Sequence, residues 1–186
     1  MATRVTRLSF TVPGVNESEA GEVTTILQDR LTALTDLSLT LKHIHWNVVG
    51  PHFIAVHLML DSQVEAVRLM ADETAERIAT LGGTPVGTPG ALVAARTWDD
   101  YDIGRDDAIA HLGALDVVYT GLIASHRQAI AATEESDPVS QDMLITQAAQ
   151  LEKFQWFVRA HLESADGTLA TRTAKTEKAA ARRSHR

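Results

Sequence analysis

Apolar residues recur every three or four positions along most of the chain. Asn16 and Glu19 have the spacing of a capping box, and Val23, Ile26, Leu27, Leu31, Leu34, Leu37 and Leu41 then mark one stripe at helical period. A first long helix is predicted from there to about Asn47, ended by Gly50-Pro51. A second runs from about Ile54 to Leu81, with Val64, Val67, Ala71, Ala75 and Ile78 on its apolar side, and stops at Gly82-Gly83. The stretch from Gly82 to Asp107 is rich in proline and glycine, and Ala91 to Arg96 is its one candidate for a short helix. A third long helix is expected from about Arg105 to Thr133, on Ile109, Leu112, Leu115, Val118, Leu122, Ile123 and Ile130. A fourth begins at Asp137-Pro138, an N-cap followed by proline at the first helical position, and continues to about Gly167. No alternating strand pattern competes. The fold class is therefore all-α: a four-helix bundle over residues 16–167 with a long crossover between its second and third helices.

Composition adds the two ends. Residues 1–15, with Arg4, Arg7 and the Pro13-Gly14 turn signal, read as an extended arm. Residues 168–186 have almost no large apolar side chains and read as a disordered basic tail of about 3.4 Å reach per residue. Six basic residues against Glu177 alone give that tail a charge of +5, so the preceding 167 residues carry −12 of the net −7. An acidic body and a basic end imply different partners. Arg172, Lys175, Lys178, Arg182, Arg183 and Arg186 suit nucleic-acid phosphates, contacted without reading sequence. A tail that only solvates is the competing reading. The absence of cysteine excludes thiolate metal sites and cysteine nucleophiles and suits a reducing cytoplasm. No apolar run approaches the roughly 20 residues of a spanning helix.

The candidate chemistry is concentrated between Lys42 and Glu76. His45, His57, Asp61, Asp72 and Glu76 are the ligand types of a non-thiolate transition-metal site. His57 and Asp61 are four apart on the second helix, as are Asp72 and Glu76, so each pair shares a face. Eleven residues separate Asp61 from Asp72, which returns to nearly the same direction but about 16 Å further along the axis. One ion cannot use both pairs from one chain. Two copies of the helix, antiparallel about a twofold axis, would place the first pair of one chain opposite the second pair of the other and make two equivalent sites. His45 extends the inward stripe after Leu41 and is positioned to join. Solvated acid pairs and a core histidine would show the same spacing. No glutamate has histidine three residues later, which counts against an intrachain di-iron centre. His43, His52, His111, His126, His161 and His185 carry no assigned role.

The string HWNVVGPHFIAVHLMLD (His45 to Asp61), Asp72-x-x-x-Glu76, ERIATLGG (Glu76 to Gly83) and LEKFQWFVRAHLE (Leu151 to Glu163) together resemble the Dps family, the ferritin-like DNA-binding proteins of starved cells. The resemblance covers roughly Phe10 to Glu163 and is nearest to actinobacterial members with a basic C-terminal tail. It implies a ferritin-like bundle assembled as a hollow dodecamer with ferroxidase sites at dimer interfaces. His45, His57 and Asp61 would come from one chain, and Asp72 and Glu76 from its partner. Iron(II) would be oxidised there, with hydrogen peroxide as oxidant, and iron(III) stored in the cavity of a cytoplasmic, nucleoid-associated particle. Trp46 would lie close to the iron and intercept oxidising equivalents, and Asp142 would line a threefold channel. The second reading is a nucleoid-structuring DNA-binding protein in which metal is minor.

Overall fold

A computed structural model describes residue 8 and residues 10–184. Its elements are α1 (Glu17–Asn47), β1 (Val48–Val49), α2 (Phe53–Thr80), α3 (Pro89–Ala95), β2 (Asp106–Asp107), α4 (Ala108–Thr133), α5 (Pro138–Leu162) and α6 (Glu177–Ser184). The four long helices are the predicted ones, displaced at their ends by a few residues. α4 starts after Asp107, whose side chain accepts from the Ala110 N–H at 2.9 Å, and α5 ends at Leu162 rather than near Gly167.

The capping box forms: the Glu19 N–H donates to Asn16 Oδ1 at 2.9 Å, and the Asn16 N–H donates to Glu19 Oε2 at 3.3 Å. α2 ends where Gly82 takes φ +85°, and a Cβ there would sit 2.0 Å from the Phe10 carbonyl oxygen. The N-terminal segment thus crosses the helix end at a point only glycine allows. Of the predicted arm, residues 1–7 and 9, with Arg4 and Arg7, fall outside the described residues, while Leu8 is buried in the core and Pro13-Gly14 makes its turn.

α1 packs on α2 and α4 on α5. A two-residue parallel ladder, missed by the sequence pattern, pairs Val48 with Asp106 and Val49 with Asp107. It brings the start of α4 to the end of α1, so α2 and α4 run down from that end while α1 runs up to it and α5 returns to it. One core surrounds Leu34, Leu37, Leu41, Ile44, Leu60, Leu112, Leu115, Tyr119 and Leu151; a second, at the other end, surrounds Val23, Leu27, Leu31, Ile78 and Leu144. α4 is long and apolar enough to cross a bilayer by length and mean composition, although His111 and Asp116 interrupt its apolar run, and over half of its most apolar stretch is buried inside the bundle.

Two further expectations are corrected. Asp137 stands at the N-cap of α5, but its side chain makes no capping bond. Its buried carboxylate instead accepts from Arg77 Nη2 at 2.7 Å and from the Ser140 hydroxyl. Burial alone would raise this carboxyl, but Ser140 and Arg77 outweigh it and hold it below the ordinary range. The tail is not disordered as far as residue 184. α6 lies on α4, burying Ala180 and Ala181 beside Ala110 and Ala114. A Cβ on Gly113 would meet Ser184 Oγ at 2.2 Å and the Ala180 carbonyl at 3.0 Å, so the two helices touch along small residues. Thr171 Oγ1 donates to the buried Asp116 carboxylate at 2.8 Å, anchoring the approach to α6.

Candidate metal centre

The last turn of α1 and the first turns of α2 meet at two histidines. His45 Nδ1 lies 3.0 Å from the His57 carbonyl oxygen, and His57 Nδ1 lies 3.0 Å from the His45 carbonyl oxygen. A carbonyl only accepts, so both Nδ1 atoms carry the proton. In the neutral rings each Nε2 is therefore a free lone pair, the form a metal ligand requires. The rings stack with centroids 3.6 Å apart and planes 20° from parallel, and Phe53 covers His57 with ring centroids at 4.9 Å. Backbone carbonyls fix each ring in the way outer partners orient metal-ligating histidines.

Asp61, one turn after His57, completes a group of three whose potential ligand atoms all fall within 4.8 Å of one another. Among the described residues no other histidine, aspartate and glutamate side chains meet in this way. His45 is buried, whereas His57 and Asp61 are half-buried, so the group opens to one side. Lys42 Nζ donates to Asp61 Oδ1 at 2.6 Å and holds that carboxyl below its ordinary range, ionised and ready to accept a cation. The sequence reading gave Lys42 no role. Its position three residues before His45, hence on the same face of α1, was the available signal.

Asp72 and Glu76 do not join the group. Both are exposed further along α2. Around the open side, Trp46 is 71% exposed, and Phe53, Ile54, Leu58 and Leu69 also present large apolar surface. Asp142 is exposed on α5. Of the basic residues assigned to phosphate contact, Arg172, Lys175, Lys178, Arg182 and Arg183 are exposed, with Lys178 bonded to Asp102 and Arg183 to the Thr173 hydroxyl. Arg186 falls outside the described residues.

Two imidazole nitrogens and a carboxylate suit a divalent metal of the later first transition row, iron(II) and zinc included. Three ligands from one chain leave coordination positions open.

Residues 24–167 match the model of the ferritin-like domain. The chain is 58% identical, over 96% of its length and 97% of the relative's, to the DNA protection during starvation protein of Mycolicibacterium smegmatis. Its structure superimposes on that of Mycobacterium smegmatis Dps with a TM-score of 0.90 at 59% identity, covering 91% of this chain and 97% of the other. DpsA14 from Streptomyces coelicolor gives 0.87 at 63% identity, covering 88% and 98%.

Proposed function

Since this chain belongs to the Dps family of ferritin-like proteins, we propose that it oxidises iron(II) at centres shared between two subunits, stores the iron(III), and binds DNA without sequence preference. Iron oxidation and storage are general properties of the family. His45, His57 and Asp61 hold the iron(II) substrate from one chain, and Asp72 and Glu76 close on it from the partner. Hydrogen peroxide takes up two electrons, one from each of two iron(II) ions, and two protons to leave as water. The observation that carries the reading is the meeting of His45, His57 and Asp61, whose potential ligand atoms lie within 4.8 Å of one another, with His45 Nδ1 3.4 Å from Asp61 Oδ1. Stacked histidines in a core need no carboxylate beside them.

The resting ion pair has a part in the cycle. Lys42 neutralises Asp61 while the centre awaits iron, and an arriving divalent cation replaces the ammonium at the carboxylate oxygen. As charge on the ion grows from +2 to +3, the carboxylates become the stronger ligands and the site holds its product long enough to pass it on.

Exposed apolar residues beside the half-site supply the surface that a second copy covers, and Asp72 and Glu76 stand on the same helix, placed for twofold exchange. The assembly in this reading is a hollow dodecamer in the cytoplasm, associated with the nucleoid. Asp142 lines the route by which cations enter, concentrating them by charge. Arg172, Lys175, Lys178, Arg182, Arg183 and Arg186 contact DNA phosphates, and twelve copies of a weak contact give multivalent binding.

Iron(II) oxidation followed by absorbance, with particle mass measured in the same sample, tests the reading. A particle of about twelve chains that oxidises iron, and an Asp72→Ala plus Glu76→Ala variant that assembles but does not, are the expected results. Unchanged oxidation in that double variant removes both carboxylates from the centre.

A further inference from the structure

Midway along the bundle α1 and α4 stand apart, and the gap between them is a half-open groove of about 390 Å³, roofed by the link before α4 and by Glu177, the first residue of α6. Its floor is apolar, made by Leu37, Val118 and Leu122, with the Trp98 ring as one wall. Gly121 widens it. Nothing lies within 4 Å of where a Cβ on this residue would stand, and glycine disfavours a helix interior, so no neighbour in the chain accounts for its choice. Arg30 closes one end of the groove and bonds across it, Nη1 to the Ser125 hydroxyl at 2.5 Å. Thr40 lies at the other end, about 15 Å away along α1.

We propose that this groove binds a monocarboxylate with an aliphatic chain of about ten carbons, its carboxylate on the Arg30 guanidinium and its chain along Leu37, Val118 and Leu122. An extended chain of that length fills the distance from Arg30 to Thr40. The site is separate from the group of His45, His57 and Asp61 and owes nothing to iron.

The charges around the groove select an anion. Asp36 is spent: one carboxylate oxygen accepts from Trp98 Nε1 at 2.7 Å and the other from Arg96 Nη1 at 3.2 Å. Asp99 is exposed to water. Glu177 is half-buried near Tyr101, and burial, with the charges of Asp102, Asp36 and Asp99, holds its carboxyl above the ordinary range. Arg30 differs from all three. Burial holds its guanidinium below the ordinary range, and among the described residues its one side-chain bond goes to a neutral hydroxyl. A guanidinium that has given up water for a single hydroxyl keeps donors to spare, and two of them in parallel grip a carboxylate. The apolar floor supplies the rest. Water lying against Leu37, Val118 and Leu122 has few partners, so a hydrocarbon chain displaces it favourably. A second carboxylate at the far end of that chain would meet Glu177 and Asp99, which disfavours a dicarboxylate of the same length.

Isothermal titration calorimetry on the assembled full chain reads binding, with sodium decanoate kept below the concentration at which it forms micelles. Decanol, decyltrimethylammonium and decanedioate serve as comparisons. The expected result is one decanoate per chain, with each comparison at least about 10-fold weaker, the factor of one charge-assisted bond. Octanoate, two methylenes shorter, should bind about 15-fold more weakly than decanoate. Arg30→Gln should remove the preference for decanoate over decanol, and Gly121→Leu should abolish saturable binding by filling the groove. The leucine enters open space on a helix that it suits better than glycine does, so this variant tests the site even where Arg30→Gln fails to fold. Unchanged decanoate affinity in Gly121→Leu, tighter binding of the decyltrimethylammonium cation, or no saturable binding to the wild type overturns the proposal.

Discussion

The end of α1 and the helix α6 meet the body of the protein in opposite ways. At the first, two histidines bond each other's backbone, stack, and sit against a carboxylate held by a lysine. At the second, two alanines, a close helix contact at Gly113 and a solvent-exposed Lys178 to Asp102 ion pair hold eight residues. The alanine methyls contribute about 2 kcal/mol by burial, while ordering a residue costs about 1 kcal/mol or more. Docking of α6 is thus shallow and rests on its internal hydrogen bonds. The histidine group is fixed by bonds from both sides, and the basic helix is held lightly.

The largest effect that sharpens this contrast is on iron. His57→Ala should lower iron(II) oxidation by at least about 100-fold, beyond the range typical of a residue that only orients a ligand, while removal of residues after Gly167 leaves the rate unchanged. Co-assembly of His57→Ala subunits with Asp72→Ala plus Glu76→Ala subunits sharpens it further. In a mixed dimer one of its two centres regains a full ligand set, so random pairing should restore about a quarter of the wild-type rate. Rates no higher than either variant alone would contradict shared centres.

Acid and salt should separate the bundle from α6. Burial, assisted by Arg30, pushes the His126 imidazole in the core down to about 4. The unfolded chain binds that proton more readily, so the associated stability is complete above about pH 6.5 and is lost as pH falls to about 4, on the order of 3 kcal/mol. Denaturant unfolding at a series of pH values measures it, and His126→Gln should flatten the slope over that window.

Gly113→Leu comes next. Losing about 2 kcal/mol of docking raises the undocked population of α6 roughly 30-fold, seen as faster tryptic cleavage at Arg182 and Arg183 with the bundle's unfolding midpoint little changed. Equal cleavage rates would mean that α6 is held by something other than the small-residue contact. The smallest effect belongs to Lys178→Glu. Its ion pair is exposed, so stability should change by less than about 1 kcal/mol, whereas DNA retardation weakens and its dependence on salt becomes shallower.

How much of this could be read from the residues follows the same division. Leucines at helical period and the Asn16 to Glu19 box announce α1, because large side chains and caps leave a pattern. The ligand types on α1 and α2 point to the group of His45, His57 and Asp61 that the structure brings together, while Asp72 and Glu76 stand apart from it within the chain. The docking of α6 left no such trace: alanine and glycine fit by shape, and a composition rule that counts large apolar residues reads them as tail. Asp137 looked like a cap because its neighbour is proline, yet Arg77, sixty residues earlier, claims its carboxylate. Lys42 and the pairing of Val48 with Asp106 depend in the same way on a partner the local pattern does not contain.

The reciprocal histidine bonds also fix an order of events. They close a loop of 12 residues, whereas the ladder that brings in α4 joins positions 58 apart. Loop-closure entropy favours the shorter by about 1.4 kcal/mol, and during synthesis α1 and α2 are complete before α4 has been made. Pulse-labelled hydrogen exchange during refolding should find α1 and α2 protected ahead of α4. In the proposed reading each nascent chain would then carry His45, His57 and Asp61 in place before it meets a partner, and finished subunits awaiting assembly would form a reservoir of half-made iron sites.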